Sequence, residues 1–183
     1  MRILIQTVGT RGDVQPYVAL GKGLVATGHE VAICTCARFE SFVTSHGIGY
    51  ERLNNDLLEF MDTEDGRIAM ENTGNLFEAI RTGIKLFPKI GDMMTRQVDE
   101  MWQACESFQP ELILFHKKAI GAEDFAEKRG ISCALAFYLP LYVPTGEFPA
   151  MGFPRWPLGR WYNRLTYRIV DWVTRISSSK FTR

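Results

Sequence analysis

Five short apolar runs, each followed by a segment with helical character, constrain the fold of this chain more than any other feature. The runs lie at 2–8, 30–36, 50–53, 111–116 and 132–139. Apolar runs of this length, bounded by turns, are typical of buried parallel strands. Helical periodicity marks the residues after the first run and the segments 38–46, 88–108, 119–129 and 160–176. Strands that alternate with helices predict an α/β fold, namely a Rossmann-like, doubly wound, mainly parallel sheet with flanking helices.

Two segments interrupt this alternation. Residues 54–86 are polar and contain several glycines, which predicts short helices joined by loops. Residues 140–159 contain five prolines among large apolar side chains. Because proline is excluded from helix interiors and central strands, this second segment is predicted to be an ordered loop rich in aromatic residues.

The length and the charge of the chain limit what it can bind. With 183 residues and 46% apolar content, it has the size and composition of one globular domain. Lys plus Arg and Asp plus Glu both number 21, so the formal net charge is zero. Nucleic-acid binding needs an excess of basic residues, and we therefore expect no nucleic-acid partner.

The cysteines and the N-terminus bear on the cellular compartment. Three of the four cysteines lie in or next to apolar runs and are predicted to be buried thiols. Cys34 and Cys36 lack the two-residue spacer of a zinc site, so no metal site is predicted. The opening apolar stretch is too short for a signal peptide, and no run reaches the roughly 18 apolar residues of a membrane span. Together these features predict a cytoplasmic protein.

A glycine turn, Gly9-Thr10-Arg11-Gly12-Asp13, joins the first strand to the first helix. The dinucleotide-binding fingerprint GxGxxG fails here, because its second and third glycine positions hold Arg11 and Val14. A phosphate-binding P-loop fails as well, since Gly21-Lys22 is followed by Gly23. What remains is a sharp turn in front of a helix N-terminus, a place that favours negative charge.

Asp13 in this turn has two interpretations from its position alone. It can cap the helix, which stabilises a helix by about 1 kcal/mol. It can also serve as a general base that takes a proton from an attacking hydroxyl. A carboxylate oxygen that caps a helix is less available for chemistry, so the two roles are compatible only in part.

Several stretches of the chain carry a family resemblance. The longest is "GTRGDVQPYVALGKGLVATGHEVAI", and it is followed in order by "FESFVTSHGIGYERL", "QPELILFH", "AEKRGISCALAFYLPLYVPTGEFP" and "NRLTYRIVDW". With these stretches the chain resembles the N-terminal domain of GT-B glycosyltransferases of the sterol glucosyltransferase and glycopeptide-antibiotic glycosyltransferase type, the family 28 N-terminal domain. The similarity covers most of the chain.

The resemblance implies an enzyme with two Rossmann-like domains that face a cleft. The N-terminal domain binds the acceptor, and the C-terminal domain binds a UDP- or TDP-sugar as the donor substrate. The implied reaction is inverting transfer of a hexose to a hydroxyl of a lipophilic acceptor such as a sterol, a lipid or a polyketide, without a metal and without a cofactor bound by this chain.

The same resemblance implies that residues 1–183 form a single acceptor-binding domain. The C-terminal nucleotide-sugar-binding domain is missing from this chain, so we expect the chain alone to be inactive. An alternative is a non-catalytic module, derived from such a domain, that binds a ligand or a partner subunit.

The resemblance also implies roles for residues of the glycine turn. The catalytic aspartate of the family maps onto Asp13, and the donor-proximal loop maps onto Gly9, Thr10, Arg11 and Gly12. Related enzymes use a histidine base in this loop, oriented by an aspartate after the fourth strand. Here His116 follows the fourth strand, which makes it a candidate orienting residue. The alternative is a strand-end histidine with hydrogen bonds of its own.

Large apolar residues outside the strands are candidates for an acceptor pocket, because such pockets are concave and apolar. They are Phe60, Phe77, Phe87, Tyr138, Tyr142, Phe148 and Phe153. The helix at 160–176 carries arginines beside an aromatic face. Two interpretations of this helix stay open: it packs on the missing domain, or it makes peripheral contact with a membrane.

Overall fold

The computed structural model of the chain describes residues 1–64, 66–67, 76–138, 143–151 and 153–179. For 76–89 and 173–179 it describes the backbone alone. Within these ranges the chain forms one sheet with helices packed around it.

Five parallel strands form the sheet, and they confirm the predicted fold class. They are β1 (Arg2–Gln6), β2 (Glu30–Cys36), β3 (Gly49–Leu53), β4 (Leu112–Phe115) and β5 (Ser132–Leu135). Their order across the sheet is β3-β2-β1-β4-β5, and every neighbouring pair is parallel. The central strand β1 is covered on both faces, and Leu4 and Ile5 in it are fully buried. Burial on both faces explains why its sequence is a continuous apolar run.

The helices in the described part of the chain lie around this sheet. They are α1 (Arg11–Ala26), α2 (Glu40–Thr44), α3 (Asp56–Asp62), α4 (Leu76–Phe108), α5 (Ala122–Arg129) and α6 (Gly159–Ser179). Right-handed crossovers between parallel strands put α1 and α2 on one face of the sheet and α4 and α5 on the other. None of the helices in the described ranges combines the length and the apolar content needed to cross a bilayer.

Two predicted boundaries were wrong. The long helix was predicted to start at residue 88, but α4 starts at Leu76 and continues through Pro88. Proline usually ends a helix, and this rule misled the prediction. The last strand was predicted to reach residue 139, but β5 ends at Leu135. Its partner β4 ends at Phe115, so the chain beyond Leu135 has no neighbouring strand with which to continue the ladder.

The loops after β1 and β4 meet at the carboxyl edge of the sheet, because these two strands are neighbours. The pairing of Gln6 with Phe115 brings His116 next to Thr7. The chain moves from β1 to β2 on one side, whereas β4 lies on the other side of β1. Doubly wound sheets bind their ligands in the crevice where the strand order reverses in this way.

Candidate functional site

The glycine turn after β1 closes on its own aspartate. Gly9 has a φ of +135°, which is a backbone conformation that residues with a side chain rarely adopt. A Cβ atom at this position would lie 2.2 Å from Asp13 Oδ2. Gly12 is different, because a Cβ atom there would meet only Thr10 Oγ1, at an ordinary 3.8 Å. The turn therefore requires glycine at position 9, to bring the backbone against the carboxylate, and does not require it at position 12.

The Asp13 carboxylate receives two hydrogen bonds on each oxygen. Its Oδ2 accepts from the Thr10 backbone N–H at 2.8 Å and from the Thr10 hydroxyl at 3.2 Å. Its Oδ1 accepts from Lys118 Nζ at 2.9 Å and from the Tyr138 hydroxyl at 3.0 Å. Asp13 itself is only 8% exposed. We call Thr10, Asp13, Lys118 and Tyr138 the carboxylate corner.

The hydrogen bonds at this corner keep Asp13 ionised. Burial alone would raise the pKa of the carboxyl group. The bonds from Lys118, Thr10 and Tyr138, together with the charge of Lys118, outweigh the burial and hold the pKa of Asp13 below its usual range. At neutral pH the group is therefore a carboxylate, which is the form that a general base needs.

His116 packs against aromatic rings next to the carboxylate corner. Its ring stacks on Tyr138 at a centroid distance of 6.0 Å and meets Tyr17 edge-on at 6.1 Å. Its Nδ1 accepts a hydrogen bond from the Lys118 backbone N–H at 3.3 Å. Burial lowers the pKa of His116, the charge of Lys118 lowers it further, and Asp13 opposes the shift in part. The histidine is therefore neutral at pH 7.

The orienting role of His116 stays a prediction. Among the hydrogen bonds of the described residues, none joins His116 to Asp13; Lys118 and Tyr138 occupy Oδ1 instead. His116 contacts the Tyr138 ring and the Lys118 backbone, and it interacts with Asp13 directly only through the charge of the carboxylate.

The remaining residues of the predicted donor-proximal loop lie at the start of α1. Thr10, Arg11 and Gly12 are exposed, whereas Gly9 is buried. The Arg11 guanidinium lies 4.8 Å from the centre of the Phe42 ring on α2. Their role near a donor stays a prediction.

An apolar cavity of about 210 Å³ lies at the same edge of the sheet, between α3 and α4. Its wall includes the last residues of β2 and β3 and the residue before Gly9. Its lining residues include Val8, Cys36, Leu53, Leu57, Phe60 and Gln97. We call it the α3–α4 cavity.

Gln97 connects this cavity to the carboxylate corner. It lines the cavity from α4, and its Nε2 donates to the Lys118 carbonyl at 3.1 Å. Lys118 in turn donates to Asp13. The cavity and the carboxylate corner are thus linked through the Lys118 backbone.

The predicted acceptor residues divide among different places. Phe60 is buried in the wall of the α3–α4 cavity, and Tyr138 is part of the carboxylate corner. Phe148 lines a separate cavity of about 300 Å³ near Trp156. Phe153 is half-buried. Phe77 and Phe87 lie in the part of α4 where only the backbone is described, and Tyr142 lies outside the described residues.

Sequence reasoning missed Lys118, Tyr17 and Gln97. Lys118 follows the end of β4 by three residues, at the edge where strand ends converge, and that position was an available signal. Tyr17 and Gln97 gave no separate signal, because both lie on helix faces whose pattern is typical of core packing.

The cysteines give no sign of a metal site. Cys34, Cys36 and Cys105 are buried and Cys133 is exposed, and all four are free. Among the described residues, no group of three or more His, Cys, Asp or Glu side chains is arranged to hold a metal ion.

Solved structures with a similar fold are glycosyltransferases. The glycosyltransferase of kitacinnamycin aligns with a TM-score of 0.51 and 20% identity over 72% of this chain and 29% of its own. The glycosyltransferase SsfS6 of Streptomyces sp. SF2575 aligns with a TM-score of 0.50 and 25% identity over 73% of this chain and 38% of its own. The sheet and its helices are those of the Rossmann-like domain found in GT-B glycosyltransferases.

Sequence comparison narrows this class to one family. The model of the glycosyltransferase family 28 N-terminal domain matches residues 3–145, and the chain belongs to this family. The sterol 3-beta-glucosyltransferase of Sclerotinia sclerotiorum is 33% identical over 94% of this chain, and that of Gibberella zeae is 34% identical over 93%. The chain spans 11% of the length of each of these two relatives.

Proposed function

We propose that this chain is the acceptor-binding half of an inverting glycosyltransferase that transfers a hexose from a UDP- or TDP-sugar to a hydroxyl of a lipophilic acceptor. Membership of the glycosyltransferase family 28 N-terminal domain and the similarity to two sterol 3-beta-glucosyltransferases support this reaction class. The observation that carries the proposal is that a buried, ionised carboxylate and an apolar cavity lie at the same carboxyl edge of the sheet.

Asp13 is the general base in this proposal. Its Oδ1 takes the proton of the acceptor hydroxyl as that oxygen attacks the anomeric carbon of the sugar. The attack comes from the side opposite the leaving group, so the configuration at the anomeric carbon inverts. The new carbon–oxygen bond forms while the bond to the diphosphate oxygen breaks, and the nucleoside diphosphate leaves with the electron pair. Gly9, Thr10, Arg11 and Gly12 would border the donor during this step.

The α3–α4 cavity is the proposed acceptor site. At about 210 Å³ it is smaller than typical small-molecule pockets of roughly 300–1,000 Å³. An acceptor of sterol size would therefore insert only one end, and the rest would extend along the edge of the sheet. Phe60 would contact the inserted end, and Gln97 would lie on the side toward Asp13.

A non-catalytic binding module is the second candidate. The observation that favours it is the full set of four hydrogen bonds on Asp13, since a carboxylate held in this way also serves a purely structural purpose. In that case the cavity would hold a ligand, and Asp13 would only fix the start of α1.

The deciding experiment replaces Asp13 by Asn in a protein that contains this chain together with a nucleotide-sugar-binding domain, because we expect no turnover from the chain alone. Loss of a general base lowers kcat by about 10²–10⁴-fold. Asp62→Asn is the matched control, since the Asp62 side chain is 67% exposed and pairs with Arg38 on the surface. An Asp13→Asn enzyme that turns over at the control rate would exclude Asp13 from the chemistry and favour the binding module.

We further propose a cytoplasmic location, with peripheral contact between α6 and the membrane that holds the acceptor. Trp161 and Trp172 lie on the outer face of α6 and are 71% and 64% exposed. The exposed Arg164 and Arg168 lie beside them. Tryptophan and arginine together favour the interface of an anionic bilayer. Replacement of both tryptophans by Ser should reduce binding to anionic lipid vesicles. Unchanged binding would contradict membrane contact and favour the alternative that α6 packs on the nucleotide-sugar-binding domain.

A further inference from the structure

We propose that Lys118 is a removable positioning residue: its ammonium holds Asp13 Oδ1 before the acceptor binds and withdraws when the acceptor hydroxyl arrives. The inference rests on the proposed role of Asp13 as the base. It adds a residue and a conformational step that the sequence did not indicate.

The capacity of the Asp13 carboxylate for hydrogen bonds is limited. An ionised carboxyl group has about four lone-pair positions for hydrogen bonds. Asp13 already receives four, two on each oxygen, at distances from 2.8 to 3.2 Å. An acceptor hydroxyl that donates its proton to Asp13 must therefore replace one of the present donors.

The donors on Asp13 differ in how easily they can leave. The Thr10 N–H is the N-cap half of the capping box of α1, and its departure would loosen the start of that helix. The Tyr138 hydroxyl is carried by a ring that stacks on His116 and meets Tyr17 edge-on. The Lys118 side chain is 47% exposed and hangs on a flexible four-carbon stem. The proposed base is Oδ1, and of its two donors the lysine is thus the one that leaves more easily.

Only the side chain of Lys118 has to move. The Lys118 backbone is held at both ends, since its N–H donates to His116 Nδ1 and its carbonyl accepts from Gln97. Rotation of the stem moves the ammonium into solvent without disturbing this anchor. Gln97 also lines the α3–α4 cavity, so the anchor of Lys118 lies against the proposed acceptor.

Withdrawal of Lys118 also changes the chemistry of Asp13. The lysine lowers the pKa of Asp13 both through its hydrogen bond and through its charge, against the opposing effect of burial. When the ammonium leaves, the carboxylate keeps its burial and loses this stabilisation, so it becomes a stronger base. The same movement therefore frees an oxygen and strengthens its attraction for the proton.

The first test uses the 183-residue chain and does not depend on turnover. The carboxyl ¹³C resonance of Asp13, assigned by its loss in Asp13→Asn, is followed as a function of pH in wild type and in Lys118→Met. The other titratable group that faces Asp13 on the turn after β4 is His116, and Tyr138 faces it from the segment after β5. Lys118→Met should raise the pKa of Asp13, whereas the neighbouring Lys117→Met should leave it in place.

A second variant guards against misfolding. Lys118→Gln keeps a hydrogen-bond donor and removes the charge, and it is used if Lys118→Met gives a poorly dispersed ¹H–¹⁵N spectrum. An Asp13 pKa that stays the same in the folded variant would overturn the proposal whether or not the protein is a glycosyltransferase.

The second test measures kcat/KM against pH in the two-domain protein. In Lys118→Met the acid limb should move to higher pH, in the same direction as the carboxyl titration, while the plateau stays far above the 10²–10⁴-fold loss expected for Asp13→Asn. Lys118→Arg should lower kcat, because a bidentate guanidinium leaves a carboxylate less easily. A Lys118→Met plateau as low as that of Asp13→Asn would mean that the ammonium must stay in place, and the proposal would fail. An active enzyme that is indifferent to Asp13→Asn would refute the proposed function instead, with the ¹³C titration unaffected.

Discussion

The carboxylate corner and the α3–α4 cavity lie at the same edge of the sheet, yet they are built in opposite ways. At the corner, each oxygen of Asp13 has two donors within 3.2 Å. In the cavity, mostly apolar side chains surround a volume of about 210 Å³. A reacting group has to be held in one orientation, whereas a ligand needs space. One short edge thus combines a fully bonded polar group with a loosely packed apolar region.

The largest effect is expected where the backbone itself shapes the corner. Gly9→Ala puts a Cβ atom 2.2 Å from Asp13 Oδ2 and strains a positive-φ residue. Strain of about 1–3 kcal/mol and a lost helix cap of about 1 kcal/mol together predict a loss of about 3 kcal/mol in unfolding free energy. Urea denaturation of the 183-residue chain measures it.

Gly12→Ala is the matched control for this experiment. Gly12 lies in the first turn of α1 with open space around it, so alanine should leave stability unchanged or raise it by up to about 1 kcal/mol. Equal stability of the two variants would show that the turn tolerates a side chain against Asp13, contrary to the close approach of Gly9 to the carboxylate.

The second-largest effect on stability is expected in the wall of the α3–α4 cavity. Phe60 is 8% exposed and packs with Met93. Phe60→Ala should lower the unfolding free energy by about 2–3 kcal/mol. The loss is somewhat smaller than for truncation of a fully packed phenylalanine, because one side of the Phe60 ring already faces the cavity. Phe148→Ala is the control, since Phe148 is 47% exposed and should change stability by less than about 0.5 kcal/mol. If Phe60→Ala and Phe148→Ala lost equal stability, Phe60 would not be a packed residue of the cavity wall.

The smallest effect is expected in the pH dependence of stability that His116 contributes near the carboxylate corner. The folded state lowers the pKa of His116, first through burial and then through the charge of Lys118, so the unfolded chain binds the proton more readily. The stability contributed by the neutral histidine is complete above its ordinary pKa of about 6.5 and is lost as the pH falls through the folded value.

Unfolding free energies between about pH 5 and pH 7.5 test this dependence. His116→Gln cannot titrate and should show a smaller rise of stability with pH than wild type. His29→Gln is the control, because His29 precedes the amino end of β2, at the edge of the sheet opposite the carboxylate corner. If wild type and His116→Gln gained stability equally with rising pH, the folded state would not lower the pKa of His116.

Much of the fold followed from the sequence because strand length and apolar content are local properties. The five apolar runs became the five parallel strands, and the order in which helices alternate with them fixed the fold class. The start of α4 did not follow, because the backbone stays helical through Pro88 against the local preference of proline. The end of β5 depended on where β4 stops, which is a property of the partner strand.

The candidate site was predictable only in part. The glycine turn and Asp13 are contiguous, so the sequence pointed to them directly. The bond from Lys118 spans 105 residues and that from Tyr138 spans 125, and no local pattern specifies which donors reach a given carboxylate. Tyr138 was expected beside an acceptor, and this stays a prediction; the sequence did not indicate that its hydroxyl bonds to Asp13.

The exposed edge strand offers a handle for spectroscopy. Three of the four thiols are buried, so a maleimide dye should attach once, at Cys133 on β5. Partial burial and the nearby Glu123 raise the pKa of this thiol, and labelling should accordingly be faster in mildly alkaline buffer. A fluorophore at Cys133 would lie a few residues before Tyr138. It would report movement of the chain around Tyr138 by energy transfer, and no cysteine would have to be replaced.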